Sequence, residues 1–204
     1  MVSPMAESFP HGRCQGCGLG PALCLCAAIP RIETRTRFLI LRHVLEGRRR
    51  SNSARIAARA LPNSEIVERG APGESAGLDD LDDGRTWLLY PGGAAEGPPG
   101  PPPARLVVLD GTWRQARRMF LRIHALRALP RLSIPQPAVL PDRRLRRAPE
   151  PGHLATLEAI AWAVERLEGP ELAKPLHDLF AEFTHRNLRF ARDPSRRTRE
   201  HPAS

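Results

Sequence analysis

Between a hydrophobic run and a row of arginines, the stretch VLDGTWRQARR (residues 108–118) sets one carboxylate beside a helix-start signal. Thr112, with Gln115 three residues on, has the pattern of a capping box, in which the hydroxyl takes a helix amide and the glutamine reaches back. That accounts for Thr112 and Gln115 and leaves Asp110, two positions before the cap, without a structural task. At a strand's carboxyl end in an open α/β sheet, such a residue faces the ligand crevice. Beside a helix N-terminus and many arginines, its carboxylate is expected to stay ionised. It would then accept a proton or orient an ammonium group rather than donate a proton.

A second set of reactive residues lies near the start of the chain. Cys14-x2-Cys17-x6-Cys24-x-Cys26 gathers all four cysteines within thirteen positions, and four thiolates complete a closed, structural Zn(II) site that keeps no open position for catalysis. Disulfides are the competing reading of an even cysteine count. The lack of a secretory leader argues against an oxidising compartment and favours zinc. The tight Cys-x-Cys half leaves room for His11 as a substitute ligand.

Charge narrows the partner. The 204-residue chain carries 31 Lys and Arg against 22 Asp and Glu, a net charge of +9, and Lys174 is its single lysine. Arginine-rich genomic composition would explain the type of base but not its clustering. The segment 105–147 holds eleven arginines and two aspartates, a net +9 by itself. A stripe of that density favours a polyanion, because each cation that meets a phosphate releases a counterion. On helical spacing Arg114, Arg118 and Arg122 share a face with Arg117 beside them, and they are read as RNA-binding. Arg146 and Arg147 could hold phosphate or a carboxylate, while Arg143 and Arg144 read equally well as a solvated charge run. No apolar run approaches the roughly 18–20 residues that span a bilayer. A soluble, cytoplasmic protein is expected, with no membrane association and no obligate protein partner.

The elements that must position these groups alternate. Residues 37–43, 65–68, 87–90 and 105–109 read as strands, with 131–134 a possible fifth, and the near-continuous apolar runs suit central parallel strands. The strand at 87–90 should stop at Pro91-Gly92-Gly93, and residues 94–103 form a Pro/Gly loop. Helices are expected over 52–61, 113–125 and 154–167, and over 172–190 with an early interruption at Pro175. The spacing of Trp113, Ala116, Phe120 and Ile123 makes an apolar face, so Trp113 reads as core or pocket wall rather than a base-stacking platform. The expected fold is α/β, a mostly parallel sheet flanked by helices. The expected organisation is a leader and four-cysteine knuckle over 1–30, a catalytic domain over 31–192 and a disordered tail over 193–204.

Taken in order, the four cysteines, Asn52-Ser-Ala-Arg55, Leu88-Leu-Tyr-Pro91, Asp110-Gly-Thr-Trp113-Arg-Gln-Ala, Leu129-Pro-Arg-Leu132, Leu145-Arg-Arg-Ala-Pro149 and Thr156-Leu-Glu-Ala159 resemble the DTW-domain family of tRNA-uridine aminocarboxypropyltransferases. Two positions depart from the family pattern. His43-Val44-Leu45-Glu46 stands where a His-Pro-x-Glu run is usual, and Ala155 replaces a serine before Thr156. The resemblance implies S-adenosylmethionine as donor, transfer of its 3-amino-3-carboxypropyl group to N3 of a tRNA uridine, and release of methylthioadenosine. It also implies a SPOUT-like fold with a deep C-terminal knot.

That chemistry suits the residues. A uracil N3–H must lose its proton as N3 attacks carbon, and Asp110 is the candidate acceptor, with holding the donor's amino group as its alternative role. An Asp of ordinary pKa near 3.9 cannot deprotonate the imide beforehand, so proton loss accompanies attack. Leu89, Tyr90, Pro91, Gly92, Thr112, Trp113, Ala155 and Thr156 are the candidate donor-binding residues, and His43, at a strand end, is a candidate RNA contact. Two rival readings are an RNA methyltransferase of similar fold, which leaves S-adenosylhomocysteine, and a nonenzymatic zinc-knuckle RNA-binding module.

Overall fold

A computed structural model describes residues 12–47, 53–70, 81, 83–94, 97, 99–134 and 154–192. Five strands, β1 (Arg37–His43), β2 (Glu65–Arg69), β3 (Thr86–Ala94), β4 (Arg105–Asp110) and β5 (Arg131–Leu132), form one sheet in the order β2-β1-β4-β3-β5. Every pairing is parallel. Around it lie α1 (Ala54–Ala60), α2 (Trp113–Arg122), α3 (His124–Ala128), α4 (Thr156–Glu168) and α5 (Pro170–Arg192).

The apolar runs in β1 and β4 arise because both faces of the sheet are covered. Phe38, Ile40, Leu106 and Val108 join one core with α1, α4 and α5. Their alternate neighbours Leu39, Leu41 and Val107 join a second core with Met119, Ile123 and Leu126 of the α2–α3 segment. Period-two alternation thus sends successive residues into different cores, and neither face shows the polar half expected of a sheet wet on one side. No helix among the described residues is long and apolar enough to cross a membrane.

Three elements differ from expectation. The strand at 87–90 continues through Pro91-Gly92-Gly93 to Ala94, with a register shift against β5 between Leu89 and Ala94. Gly93 allows this: a Cβ there would sit 2.4 Å from the Arg131 carbonyl oxygen, so only glycine lets the strands approach. The helix expected over 113–125 breaks at Ile123, whose extended backbone (φ −88°, ψ 102°) ends α2 and precedes α3. The break redirects the chain so that Leu126 and Leu129 are buried. Pro175 does not interrupt α5, which runs unbroken over 23 residues. The ring removes one bond, to the carbonyl of Glu171, an exposed residue that water can reach, while Ala173, Leu176, Leu179 and Phe183 pack into the core and keep the helix continuous.

Smaller differences lie at element ends. α1 is described over Ala54–Ala60 and β5 spans two residues. The expected knot, the leader, the tail, His11, Asn52, Arg143, Arg144, Arg146 and Arg147 lie outside the described residues.

Candidate functional site

The connections leaving β1 and β4 diverge. From β1 the chain passes through α1 to β2 on one side, and from β4 it passes through α2 and α3 to β5 on the other. Adjacent parallel strands whose connections part in this way open a crevice at their carboxyl ends, where open α/β sheets bind ligands. Asp110 is the last residue of β4 and is 5% exposed. Register places it opposite Arg42 of β1, which in turn faces Glu68 of β2, and Arg42 Nη2 donates to Glu68 Oε1 at 2.7 Å.

Two helix N-termini reach this point. At α2 the capping box forms as the sequence predicts: Gln115 N donates to Thr112 Oγ1 at 3.3 Å, and Thr112 N donates to Gln115 Oε1 at 2.6 Å. Gly111 eases the strand-to-helix turn, since a Cβ there would sit tightly, 3.0 Å from Gln115 Cβ. At α4, Thr156 Oγ1 donates to Asp110 Oδ1 at 2.6 Å. The threonine expected to touch a donor therefore holds the acid.

The start of α4 is capped from a distance. Its N-cap residue, Ala155, has no side-chain oxygen. Glu158 Oε2 reaches back to accept from Ala155 N at 3.2 Å, and Leu157 N donates to Ser53 Oγ at 3.2 Å. Ser53 is the N-cap residue of α1 yet makes no cap bond to its own helix. Its hydroxyl stands in for the one missing at 155. No local pattern marks Ser53 for this role, because the contact spans 104 residues. Glu46, in the run that starts at His43, is buried just beyond the end of β1. Its burial marks it as part of the same edge.

The other expected residues are arranged around the edge. Leu89 and Tyr90 are partly buried on β3, and Pro91 and Gly92 are exposed. Tyr90 stacks on both Trp113 and Phe120, and each of the three is partly buried, with Tyr90 and Phe120 packed against the second core. Burial raises the pKa of the Tyr90 phenol, against the opposing pull of the Arg117 and Arg131 guanidiniums. Arg114, Arg117, Arg118 and Arg122 are all exposed on α2. His43 Nδ1 accepts from Leu45 N at 3.2 Å, and its ring lies against Gly70. That bond turns the chain at the end of β1.

The four thiols converge. All four sulfurs lie within 4.8 Å of one another, with Cys14 and Cys26 at 3.4 Å and Cys17 and Cys24 at 3.7 Å. These separations far exceed a disulfide bond of about 2.05 Å. They approach the roughly 3.8 Å edge of a tetrahedron with 2.3 Å Zn–S bonds. Gly16 is required by the cluster, since a Cβ would lie 2.7 Å from Cys26 Sγ. Burial pushes the Cys14 thiol up, but hydrogen bonds from the Cys17 backbone, Cys26 and the Gly16 backbone outweigh it and bring the pKa to about 7. Cys26 rises to about 11 through burial and its bond to Cys14. The knuckle is packed onto the α/β body: Cys14, Cys17, Leu19, Leu23 and Leu25 belong to the same core as α4 and α5, and Arg186 of α5 donates to the Cys24 carbonyl.

Comparison with known proteins gives the family of the chain. The DTW domain family matches residues 11–188. A Drosophila melanogaster protein named tRNA-uridine aminocarboxypropyltransferase 2 is 30% identical over 186 residues, 83% of this chain and 74% of its own length. A Mus musculus protein of the same name is 28% identical over 180 residues, 81% of this chain and 59% of its own length. An Arabidopsis thaliana protein named tRNA-uridine aminocarboxypropyltransferase A is 28% identical over 141 residues, 55% of this chain and 53% of its own length. No solved structure matches the chain. With the family match covering most of its length, and the acid, the capped turn and the four-cysteine cluster in place, the chain belongs to the DTW domain family.

Proposed function

We propose that the protein transfers the 3-amino-3-carboxypropyl group of S-adenosylmethionine to N3 of a uridine in tRNA, in the cytoplasm. The observation that carries this reading is the buried Asp110 carboxylate, held by Thr156 at the crevice between β1 and β4. Bound S-adenosylmethionine supplies a sulfonium-activated γ-carbon that bonds to N3 while the carbon–sulfur electrons leave with methylthioadenosine.

Asp110 takes the N3 proton as that bond forms. Concerted transfer is required because an ordinary carboxylate is a far weaker base than the uracil imide anion. Thr156 holds Oδ1 and so fixes the carboxylate plane, which matters because a proton acceptor works only within hydrogen-bond reach of its proton. Leu89, Pro91 and Gly92 on one side and Ala155 on the other border the donor space. A carboxylate between them suits the donor's ammonium and sulfonium charges. Thr112 serves chiefly to start α2, through its cap. Arg114, Arg117, Arg118 and Arg122 bind tRNA phosphates, joined by Arg146, Arg147 and His43. Cys14, Cys17, Cys24 and Cys26 hold a structural Zn(II) that fixes the knuckle against α5.

The by-product distinguishes this reading from its rivals. Incubation with S-adenosylmethionine and unmodified tRNA should yield methylthioadenosine. S-adenosylhomocysteine in its place would make the protein a methyltransferase, and tRNA binding without donor consumption would make it a binding module.

A further inference from the structure

The stretch from Gly47 to Ser64 holds five arginines and no acidic residue. Two of them, Arg55 and Arg59, lie on α1, four residues apart and therefore on one face of the helix. Both are exposed, while Ala54, Ile56, Ala57 and Ala60 turn into the core. The knuckle beside them, residues 12–32, carries Arg13 and Arg31 and again no acid. Glycines stand where the two side chains pass it: a Cβ at Gly18 would sit 2.9 Å from Arg55 Nη1, and one at Gly16 would sit 3.4 Å from the Arg59 guanidinium carbon. Arg59 makes no ion pair with a described residue.

Position gives this row a direction. α1 shares a core with α4, on the face of the sheet that holds the bond between Thr156 and Asp110, whereas α2 packs on the opposite face. The start of α1 is tied to the start of α4, with Ser53 Oγ accepting from Leu157 N at 3.2 Å, and the neighbouring Thr156 holds Asp110. Arg55 and Arg59 therefore descend from the acid's edge on the acid's own face, as Arg114, Arg118 and Arg122 descend from it on the other. The other two helices on the acid's face suit phosphate less well, since Glu158, Glu165 and Glu168 lie on α4, and Glu171, Asp178 and Glu182 on α5.

We infer that Arg59, with Arg55 one turn nearer the acid, forms a second phosphate-binding row, so that the RNA straddles the carboxyl edge of the sheet and is held on both faces. Phosphates held by α2 alone would lie across the sheet from the Asp110 carboxylate. A cationic row on the near side draws the strand over the edge, because each phosphate contact releases a counterion. That the RNA is a transfer substrate rests on the function proposed above; phosphate binding by α1 does not.

Two structural tasks compete for these side chains. Arg59 lies in the last turn of α1, where a cation favours the helix dipole. A guanidinium beside four thiolates and a Zn(II) also offsets their net negative charge. Either task would have the arginines stabilise the fold without touching RNA.

The test is filter binding of the full chain to an unmodified tRNA transcript across a series of salt concentrations, with Tm followed in parallel. Arg59→Ala should weaken binding and reduce the slope of log K against log salt by about one, at a Tm near that of wild type. Arg59→Lys should keep the slope, because counterion release depends on the charge. In the double variant with Arg118→Ala the slope reductions should sum to about two, as separate contacts on opposite faces require. If Arg59→Ala does not fold, Arg59→Gln and Arg55→Gln are read by the same slope.

An unchanged slope in the Arg59 variant overturns the inference. With a lowered Tm or lost zinc it would give the residue to the knuckle, and with neither it would leave a solvated surface or a protein contact. A double variant no different from Arg118→Ala alone overturns it too. A methylated product, or none, with the slope changes intact would remove the proposed transfer and leave this surface standing. Normal transfer with an unchanged slope would do the reverse.

Discussion

Removing the Ser53 hydroxyl should destabilise a helix 104 residues away, and putting a serine at 155 should restore it. In wild type the amide of Leu157, a fully buried residue, donates to Ser53 Oγ at 3.2 Å, because Ala155 offers no acceptor. Ser53→Ala leaves that amide unpaired, at a cost of about 1–3 kcal/mol. For a chain of this size about 1 kcal/mol lowers Tm by roughly 2–4 °C, so a fall of about 2–12 °C is expected. Ala155→Ser supplies an N-cap hydroxyl, which contributes about 0.5–2 kcal/mol where the helix amides lack one. Its gain should be small in wild type, where Leu157 is already served, and near the full value in Ser53→Ala. Urea denaturation of the two single variants and the double variant forms a thermodynamic cycle. The double variant should be more stable than additivity predicts by about 1 kcal/mol. Additive effects within about 0.3 kcal/mol would show that the two hydroxyls do not serve the same helix end, and the account of α4 would fail.

Thr156→Val removes the donor to Asp110 Oδ1 at nearly constant volume. Since a hydrogen bond to a charged group is worth about 1.5–3 kcal/mol, single-turnover transfer should slow about tenfold or more, with tRNA affinity by filter binding unchanged. Arg114→Ala and Arg118→Ala should each weaken tRNA binding and reduce the slope of log K against log salt by about one; an unchanged slope would return them to a merely solvated face. Stripping metal with a chelator should lower Tm of the whole chain rather than loosen the knuckle alone, because Cys14, Cys17, Leu19, Leu23 and Leu25 share a core with α4 and α5. A calorimetric transition unchanged by chelation, with no zinc detected by mass spectrometry, would contradict the metal assignment.

What the sequence made legible was local. Unbroken apolar runs marked β1 and β4 because both cores press on them, and Thr112 with Gln115 announced the start of α2 because a capping box is written within four residues. Four closely spaced thiols announced a knuckle for the same reason. The breaks were less legible. Pro91-Gly92-Gly93 carries every mark of a strand end, and only the close approach of β5 to Gly93 shows why the strand continues. Pro175 marks a helix end, which burial of α5 overrides. Trp113 and Phe120 fit a buried helix face by spacing, but Tyr90 inserts between them from another strand. The bonds that organise the site, Thr156 to Asp110 and Leu157 to Ser53, join residues 46 and 104 positions apart. No periodicity or motif encodes a partner at that distance.

The proposed mechanism has Asp110 receive the N3 proton of a tRNA uridine during aminocarboxypropyl transfer. Its most direct test is nucleoside mass spectrometry of unmodified tRNA incubated with S-adenosylmethionine and either wild type or Asp110→Asn, with tRNA binding measured alongside. Wild type should yield 3-(3-amino-3-carboxypropyl)uridine, and Asp110→Asn should bind tRNA equally well while yielding little or none. A methylated or unmodified nucleoside from wild type, or near-normal turnover by Asp110→Asn, would contradict the account.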